Sequence, residues 1–295
     1  MRYFDRRGRF VLPLVLFLLL LAGCATATRG PGIREDANCA WRVCVTFVNT
    51  PSGRGLQAVN REPVPATIVL TFRSPGNLRP GADPPIERVV PPESSVILVH
   101  LRTIVQREAT RPRVTIAIDL GSSSTEPDAD HLYAVPFGGD ARRELTQGFG
   151  GVGSHLANMS YSLDFLMPEG TPVLAARAGT VLYLQDGFTE GRANPDLLEQ
   201  ANLVVVAHSD GTMASYGHLT AGIPVSVGDV VDEGDVLGWS GATGFAARPH
   251  LHFHVGLRML RAPGRTIPIK LRDRDGRVLD LTVGSLIEPA RPKSR

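Results

Sequence analysis

Three histidines alternate along a short apolar segment near the C-terminal end of the chain. His250, His252 and His254 are separated by single apolar residues within residues 249–255. Because alternate residues of a β-strand face the same side, the three imidazoles are predicted to share one face while the residues between them pack into a core. Neutral imidazoles grouped in this way suit a metal ion, whereas charged ones would repel one another. The segment therefore predicts a strand that contributes to a metal site.

A catalytic zinc ion takes roughly three protein ligands and keeps one position open, so a single strand cannot supply the whole set. The candidates elsewhere are His155 and Asp164. Asp164 stands between Leu163 and Phe165 in an apolar segment, where an unpaired carboxylate is costly to bury. A zinc ion would satisfy this carboxylate. A salt bridge to an arginine is the alternative.

The motifs and their order resemble those of M23 zinc metallopeptidases of the lysostaphin/LytM type. Residues 147–165 resemble the first zinc motif of that family, and residues 210–219 its central histidine motif. Residues 227–244 resemble its glycine-rich hairpin, and residues 249–253 its closing His-x-His strand. The resemblance covers roughly residues 131–260, and several motifs in the family's order are far more specific than any one of them.

The resemblance implies a role for each matching residue. His155, Asp164 and His252 are expected to be the zinc ligands, and His218 and His250 are expected to be catalytic. One of these two would act as general base and the other would stabilise the oxyanion, and the sequence leaves open which does which. The implied activity is hydrolysis of the peptide cross-links of peptidoglycan.

His254 departs from the family pattern, which often has a glutamate at this position. We expect His254 to be a partly exposed strand residue, with a supporting role behind the metal ligands as the alternative. His100, His131 and His208 have no place in the motifs and are expected to be structural.

The intervening segments predict an all-β chain. Runs rich in Val, Ile and Thr predict an N-terminal antiparallel β-sandwich-like domain, with strands at residues 42–48, 66–72, 95–101 and 113–120. Strands closely punctuated by glycine predict the antiparallel sheet of an M23-type peptidase domain, at residues 171–176, 179–184, 203–207 and 212–216. Residues 190–200 are predicted to form a short helix or a loop. The predicted segments are a signal peptide at 1–23, a tether at 24–37, an N-terminal β domain at 38–125, a peptidase domain at 131–262 and a C-terminal extension at 263–295.

The N-terminus has the features of an export signal. Four arginines precede an apolar run at residues 10–21, which is shorter than the ~20 residues that span a bilayer comfortably. The following Leu21-Ala22-Gly23-Cys24 resembles the lipobox of bacterial lipoproteins, which implies cleavage before Cys24 and acylation of its thiol. A lipoprotein in the outer membrane that faces the periplasm is therefore expected. A simple N-terminal anchor helix is the alternative.

Charge bears on whether nucleic acid is a partner, and cysteine content bears on disulfide formation. Without residues 1–23 the chain has 27 basic and 28 acidic residues, which gives no electrostatic reason to expect nucleic acid as a partner. A disulfide between Cys39 and Cys44, as suits an exported protein, and two buried thiols fit the sequence equally well.

Two other functions compete with a zinc endopeptidase. One is a non-catalytic M23-like module that binds another cell-wall hydrolase and activates it, and the other is a purely structural envelope lipoprotein. Because such modules characteristically lose zinc ligands and all five site residues are present here, the sequence favours the enzyme. The expected partners are peptidoglycan peptide stems and a membrane reached through the lipid anchor. The sequence leaves open whether a regulatory envelope protein is a further partner.

Overall fold

The computed structural model describes residues 39–51, 53–108, 112–151, 155–259 and 266–291. All of them belong to one compact unit, Pro31–Arg295. The predicted signal peptide, the tether and the acylation of Cys24 lie outside the described residues. Within the described ranges, no helix has the length and apolar character needed to cross a bilayer.

The first part of the described chain forms two antiparallel sheets. A five-stranded sheet has the order β1-β2-β3-β7-β5, and a three-stranded sheet has the order β6-β4-β8. A disulfide joins Cys39 and Cys44, which face each other across the β1–β2 pair. The strands are β1 Cys39–Ala40, β2 Val43–Thr50, β3 Gly53–Asn60, β4 Ala66–Ser74, β5 Leu78–Pro80, β6 Ile86–Val90, β7 Ser94–Thr103 and β8 Arg113–Leu120.

The second part is organised around an eight-stranded antiparallel sheet of order β17-β13-β15-β16-β20-β11-β10-β22. Two-stranded sheets β12-β18, β14-β19 and β21-β9 border it. The strands are β9 Leu132–Ala134, β10 Arg143–Gln147, β11 Ser162–Leu166, β12 Pro172–Leu174, β13 Gly179–Gln185, β14 Gly191–Arg192, β15 Asn202–Ala207, β16 Met213–Leu219, β17 Val230–Val231, β18 Val236–Trp239, β19 Gly244–Phe245, β20 His250–Gly256, β21 Lys270–Arg272 and β22 Leu286–Ile287. Two short 3₁₀ helices lie at Ala157–Met159 and Pro195–Gln200.

The all-β prediction is therefore confirmed, with local differences. The strand expected at residues 171–176 is shorter, at Pro172–Leu174. The segment at 190–200 combines strand β14 with a 3₁₀ helix, at whose N-cap the Asn194 side chain accepts from the backbone N–H of Asp196. A hairpin with Ser209-Asp210-Gly211 at its turn joins β15 and β16.

Strand β15 explains how the two parts pack together. Val204 and Val206 face the core beneath the large sheet, which also contains Phe165 and Phe253. Val205 and Ala207 face the opposite side and join the core of the N-terminal sheets. A strand buried on both faces needs an uninterrupted apolar run rather than alternation, and Leu-Val-Val-Val-Ala is such a run. The N-terminal sheets thus cover the back of the sheet that supports the histidines.

Gly121 lies where the backbones of the N-terminal sheets and of the segment after β20 come into contact. It has φ +92°, and its N–H donates to the Pro65 carbonyl at 2.6 Å. A Cβ at this position would lie 2.1 Å from the carbonyl oxygen of Leu257. We expect Gly121→Ala to lower the free energy of unfolding by about 2–4 kcal/mol, because it adds this clash to the cost of a left-handed backbone.

Urea denaturation of Gly121→Ala measures this effect, and Gly228→Ala is its matched control. Gly228 has φ +96° but open space around its Cβ position. The control should therefore lose only about 1 kcal/mol. Equal losses in the two variants would mean that the close packing at Gly121 contributes nothing.

Candidate metal centre

The register between β11 and β20 places the first two metal-ligand candidates side by side. Asp164 and His252 are direct cross-strand partners in this antiparallel pair. Their neighbours Leu163, Phe165 and Phe253 are fully buried in the core. The alternation of the two strands therefore projects the carboxylate and the imidazole together from the opposite face, where His252 Nδ1 lies 2.8 Å from Asp164 Oδ1.

His155 reaches the same place from the segment between β10 and β11. Its side chain is fully buried, and its Nδ1 lies 3.1 Å from the Gly148 carbonyl oxygen. A carbonyl can only accept, so Nδ1 carries the proton and Nε2 presents a lone pair. Nε2 lies 3.2 Å from Asp164 Oδ1 but has no hydrogen-bond partner. A buried ring nitrogen aimed at a carboxylate in this way fits coordination of a shared cation.

The three side chains form a compact donor set for a metal ion. One ligand atom from each of His155, Asp164 and His252 lies within 4.8 Å of the others, and this is the only such group of three among the residues described. Two imidazole nitrogens and one carboxylate oxygen match the ligands that a catalytic zinc site takes, with a further position left open. The residues present therefore fit the metal that the sequence motifs imply.

Asp164 is oriented by further polar contacts. Gln147 Nε2 donates to its Oδ2 at 2.8 Å, which leaves Oδ1 toward the histidines. Burial opposes ionisation of this carboxyl, but His155 and His252 beside it hold its pKa well below its usual range. In the described part of the chain, every ion-pair partner of Asp164 is a histidine, so the alternative of a salt bridge to an arginine is not observed.

His218 and His250 lie next to this group with their rings 4.5 Å apart, centroid to centroid. His218 Nδ1 donates to the Thr243 carbonyl at 2.7 Å, and His250 Nδ1 donates to the Arg248 carbonyl at 2.9 Å. In both neutral rings Nε2 is therefore the free acceptor. His250 Nε2 lies 3.9 Å from Asp164 Oδ1, so this ring borders the metal-ligand group directly.

Both rings are held in the neutral form. Burial, reinforced by His250 and His252, lowers the pKa of His218 to about 3. Burial also lowers the pKa of His250, although the Asp164 carboxylate acts in the opposite direction. His218 further occupies the left-handed region at φ +63°, which is uncommon for a residue other than glycine and is a feature of strained functional positions.

The structure corrects the expectation that His254 is partly exposed. Its side chain is buried, and its Nδ1 lies 3.2 Å from Nε2 of His252. β20 is an interior strand of the sheet, and His254 is flanked there by Ser162 and Ser215 on the neighbouring strands. Its place behind His252 corresponds to the supporting role, because it fixes which nitrogen of His252 faces Asp164.

This contact predicts a weaker metal site when it is removed. His254→Leu keeps an apolar side chain in the buried position but leaves His252 Nε2 without an acceptor. Loss of such a supporting hydrogen bond typically costs about 10–100-fold in metal affinity. Competition against a zinc chelator measures the change, and His254→Gln should recover part of it because its amide oxygen can accept. An unchanged zinc affinity in His254→Leu would show that the contact does not orient His252.

The histidines that the sequence left outside the motifs also lie outside the metal-ligand group. His208 is buried, and its Nδ1 lies 3.0 Å from the Ala178 carbonyl. Burial lowers its pKa to about 4. His131 and His208 stack edge-on against Tyr133, with Arg177 over the face of the same ring. The Arg177 guanidinium disfavours both protonation of these two rings and a metal ion beside them. This agrees with a structural role for His131 and His208.

The part of the chain that contains the metal-ligand group is similar to a known protein family. Residues 158–261 match the model of peptidase family M23. Four of the five site residues lie inside the match, and His155 lies just before it. Lysostaphin of Staphylococcus simulans is 38% identical over 96 residues, which are 32% of this chain and 17% of that protein. The cell division protein DipM of Caulobacter vibrioides is 31% identical over 138 residues, which are 47% of this chain and 21% of that protein.

A third curated relative and a solved structure match similar shares of this chain. The DD-carboxypeptidase/endopeptidase Mpg of Neisseria meningitidis serogroup B is 31% identical over 99 residues, which are 34% of this chain and 20% of that protein. The match to these three relatives thus spans only about a fifth of their length. The lysostaphin catalytic domain from Staphylococcus simulans is 27% identical and covers 43% of this chain and 88% of that structure, with a TM-score of 0.32. Residues 158–261 of this chain are therefore similar to peptidase family M23, and the metal-ligand group of His155, Asp164 and His252 lies within and directly before this match.

Proposed function

We propose that this protein is a zinc-dependent endopeptidase that hydrolyses peptide cross-links of bacterial peptidoglycan. The observation that carries the proposal is the complete donor set of His155, Asp164 and His252, with two further neutral imidazoles beside it. A curated relative supports the type of reaction, because it is named a DD-carboxypeptidase/endopeptidase.

The roles within the site follow from the direction of each ring nitrogen. A bound zinc ion would supply Lewis-acid chemistry, polarising a carbonyl and lowering the pKa of water toward ~7. His155 Nε2 and His252 Nδ1 would hold the ion together with the Asp164 carboxylate. His218 Nε2 and His250 Nε2 remain free to accept a proton, because the Nδ1 protons of both rings are held by backbone carbonyls.

We assign the general base to His250. Its Nε2 lies 3.9 Å from Asp164 Oδ1, so it borders the metal-ligand group, and it is free to accept a proton there because Nδ1 donates to the Arg248 carbonyl. The protonated ring can then donate to the leaving amine. The ring of His218 lies 4.5 Å from that of His250, and it would stabilise the oxyanion of the tetrahedral intermediate as a donor once its Nε2 has accepted a proton.

The proposed location is the cell envelope, with the chain anchored in the outer membrane by a lipid on Cys24 and facing the periplasm. The arginine-rich start, the apolar run and Leu21-Ala22-Gly23-Cys24 support export and acylation. A disulfide between Cys39 and Cys44 agrees with an oxidising compartment. Such an anchor would bring the site close to peptidoglycan.

Zinc content separates this function from a non-catalytic or purely structural protein. We expect about one zinc ion per chain in the wild type and in His100→Ala, an exposed histidine of β7 that serves as control. His252→Ala should lose the ion, because it removes one of the three ligands. Wild-type protein that folds without binding zinc would rule out the zinc enzyme.

A further inference from the structure

An exposed patch at the end of the five-stranded N-terminal sheet combines aliphatic and cationic side chains. Ile104 and Val105 are 60% and 46% exposed in the loop that follows β7. The remaining members of this basic-apolar patch are Arg79, Arg102 and Arg107, all of them exposed. Two adjacent aliphatic side chains in water carry a hydrophobic cost that burial against a partner would remove.

The arginines of the patch are placed unfavourably for an isolated protein. Arg79 of β5 and Arg102 of β7 are direct cross-strand partners. Like charges directly opposite one another destabilise a sheet. In the part of the chain that the structure describes, the guanidinium groups of Arg79, Arg102 and Arg107 have no hydrogen bond and no ion pair. An anionic surface would relieve this repulsion.

The loop that presents the patch is held in a fixed shape. The Asn77 side chain accepts from the Val105 N–H at 2.7 Å and donates to the Val105 carbonyl at 2.7 Å. The backbone carbonyl of Asn77 accepts from the Ile104 N–H at 3.2 Å. Arg107 has φ +68°, a conformation that costs free energy in a residue other than glycine. A rigid, strained loop that keeps two aliphatic side chains in solvent is typical of a contact surface rather than of a loose connection.

We propose that the basic-apolar patch binds the surface of a phospholipid bilayer with anionic headgroups. Arginines at the headgroups and short aliphatic side chains just below them are the combination that such an interface accepts. The place of the patch in the sheet agrees with this. β5, which carries Arg79, and β1, which follows the N-terminal segment, are the two edges of the sheet, roughly 19 Å apart at ~4.8 Å per strand.

The chain that precedes β1 is long enough to permit this contact beside an anchor at Cys24. The 15 residues from Cys24 to Cys39 can extend over at most roughly 50 Å. Contact of the patch with a bilayer therefore adds a second point of attachment to the same membrane. The proposal does not depend on hydrolytic activity, and it applies equally to a chain that lacks the lipid.

Binding to phospholipid vesicles tests the patch, and the fragment that begins at Ala25 is used because it lacks the lipid anchor. This fragment contains the whole compact unit Pro31–Arg295. We expect co-sedimentation with vesicles of phosphatidylethanolamine and phosphatidylglycerol, weak binding to phosphatidylethanolamine alone, and release by high salt. Arg79→Gln combined with Arg102→Gln should weaken binding about 25-fold, at about fivefold per arginine. Ile104→Ser combined with Val105→Ser should weaken it about tenfold.

The matched control changes an exposed arginine and an exposed valine on the other N-terminal sheet. Arg88→Gln combined with Val89→Ser on β6 should leave vesicle binding unchanged. No binding to anionic vesicles, equal binding to both lipid compositions, or equal loss in the patch and control variants would overturn the proposal. Binding of the fragment to purified peptidoglycan through Arg79 and Arg102, without binding to vesicles, would also overturn it and identify the wall as the partner.

Discussion

Replacing Asp164 with alanine is expected to abolish both zinc binding and peptide hydrolysis. The Asp164 carboxylate is the central member of the donor set, within 3.2 Å of His155 Nε2 and 2.8 Å of His252 Nδ1. Without it, two imidazoles remain, which is too few for a stable zinc site. The loss of Lewis-acid chemistry is worth several kcal/mol, so hydrolysis should fall by more than about 10³-fold. Metal analysis and cleavage of a cross-linked peptide measure the two effects.

Asp140→Ala is the control for Asp164→Ala, because Asp140 is exposed and its substitution leaves the donor set intact. Circular dichroism shows whether each variant folds. If the Asp164→Ala variant folds and keeps a full zinc content, Asp164 is not a zinc ligand.

Replacing His250 with alanine is expected to separate zinc binding from catalysis. His250 borders the donor set at 3.9 Å from Asp164 Oδ1, and the ligand group is complete without it. We therefore expect a full zinc content in His250→Ala and a fall in kcat of about 10²–10⁴-fold, the usual contribution of a positioned general base. Parallel measurement of zinc content and kcat in one preparation gives the result. Equal zinc loss in His250→Ala and Asp164→Ala would overturn this division of roles.

His218→Asn is the informative companion to His250→Ala. Asparagine tolerates the left-handed conformation at φ +63°, so this substitution removes the imidazole with little change of backbone strain. It should also retain zinc and lose activity.

The arrangement of Asp164 and His252 could be predicted because alternation in a strand is a local property. Apolar residues on both sides of each of them indicate which side chains face away from the core, and the structure confirms that both project from the same face of the sheet. The long segment between β10 and β11 could not be placed by alternation, and only the resemblance to a family assigned His155.

The burial of His254 could not be predicted from the same alternation. Whether a side chain on the open face of a strand meets solvent depends on the strands beside it, and those are distant in sequence. The contact between the two halves of the chain was missed for a related reason. The unbroken apolar run in β15 was a signal of burial on both faces, but nothing local shows which sheet covers the second face.

Digestion of purified cross-linked peptidoglycan by the fragment that begins at Ala25 tests the proposed activity most directly, with mass spectrometry of the products and His252→Ala as control. We expect new peptide termini that depend on His252, and their masses would identify the bond that is cut. A folded, zinc-loaded wild-type fragment that releases no peptide termini from peptidoglycan would contradict the assignment of this protein as a cell-wall endopeptidase.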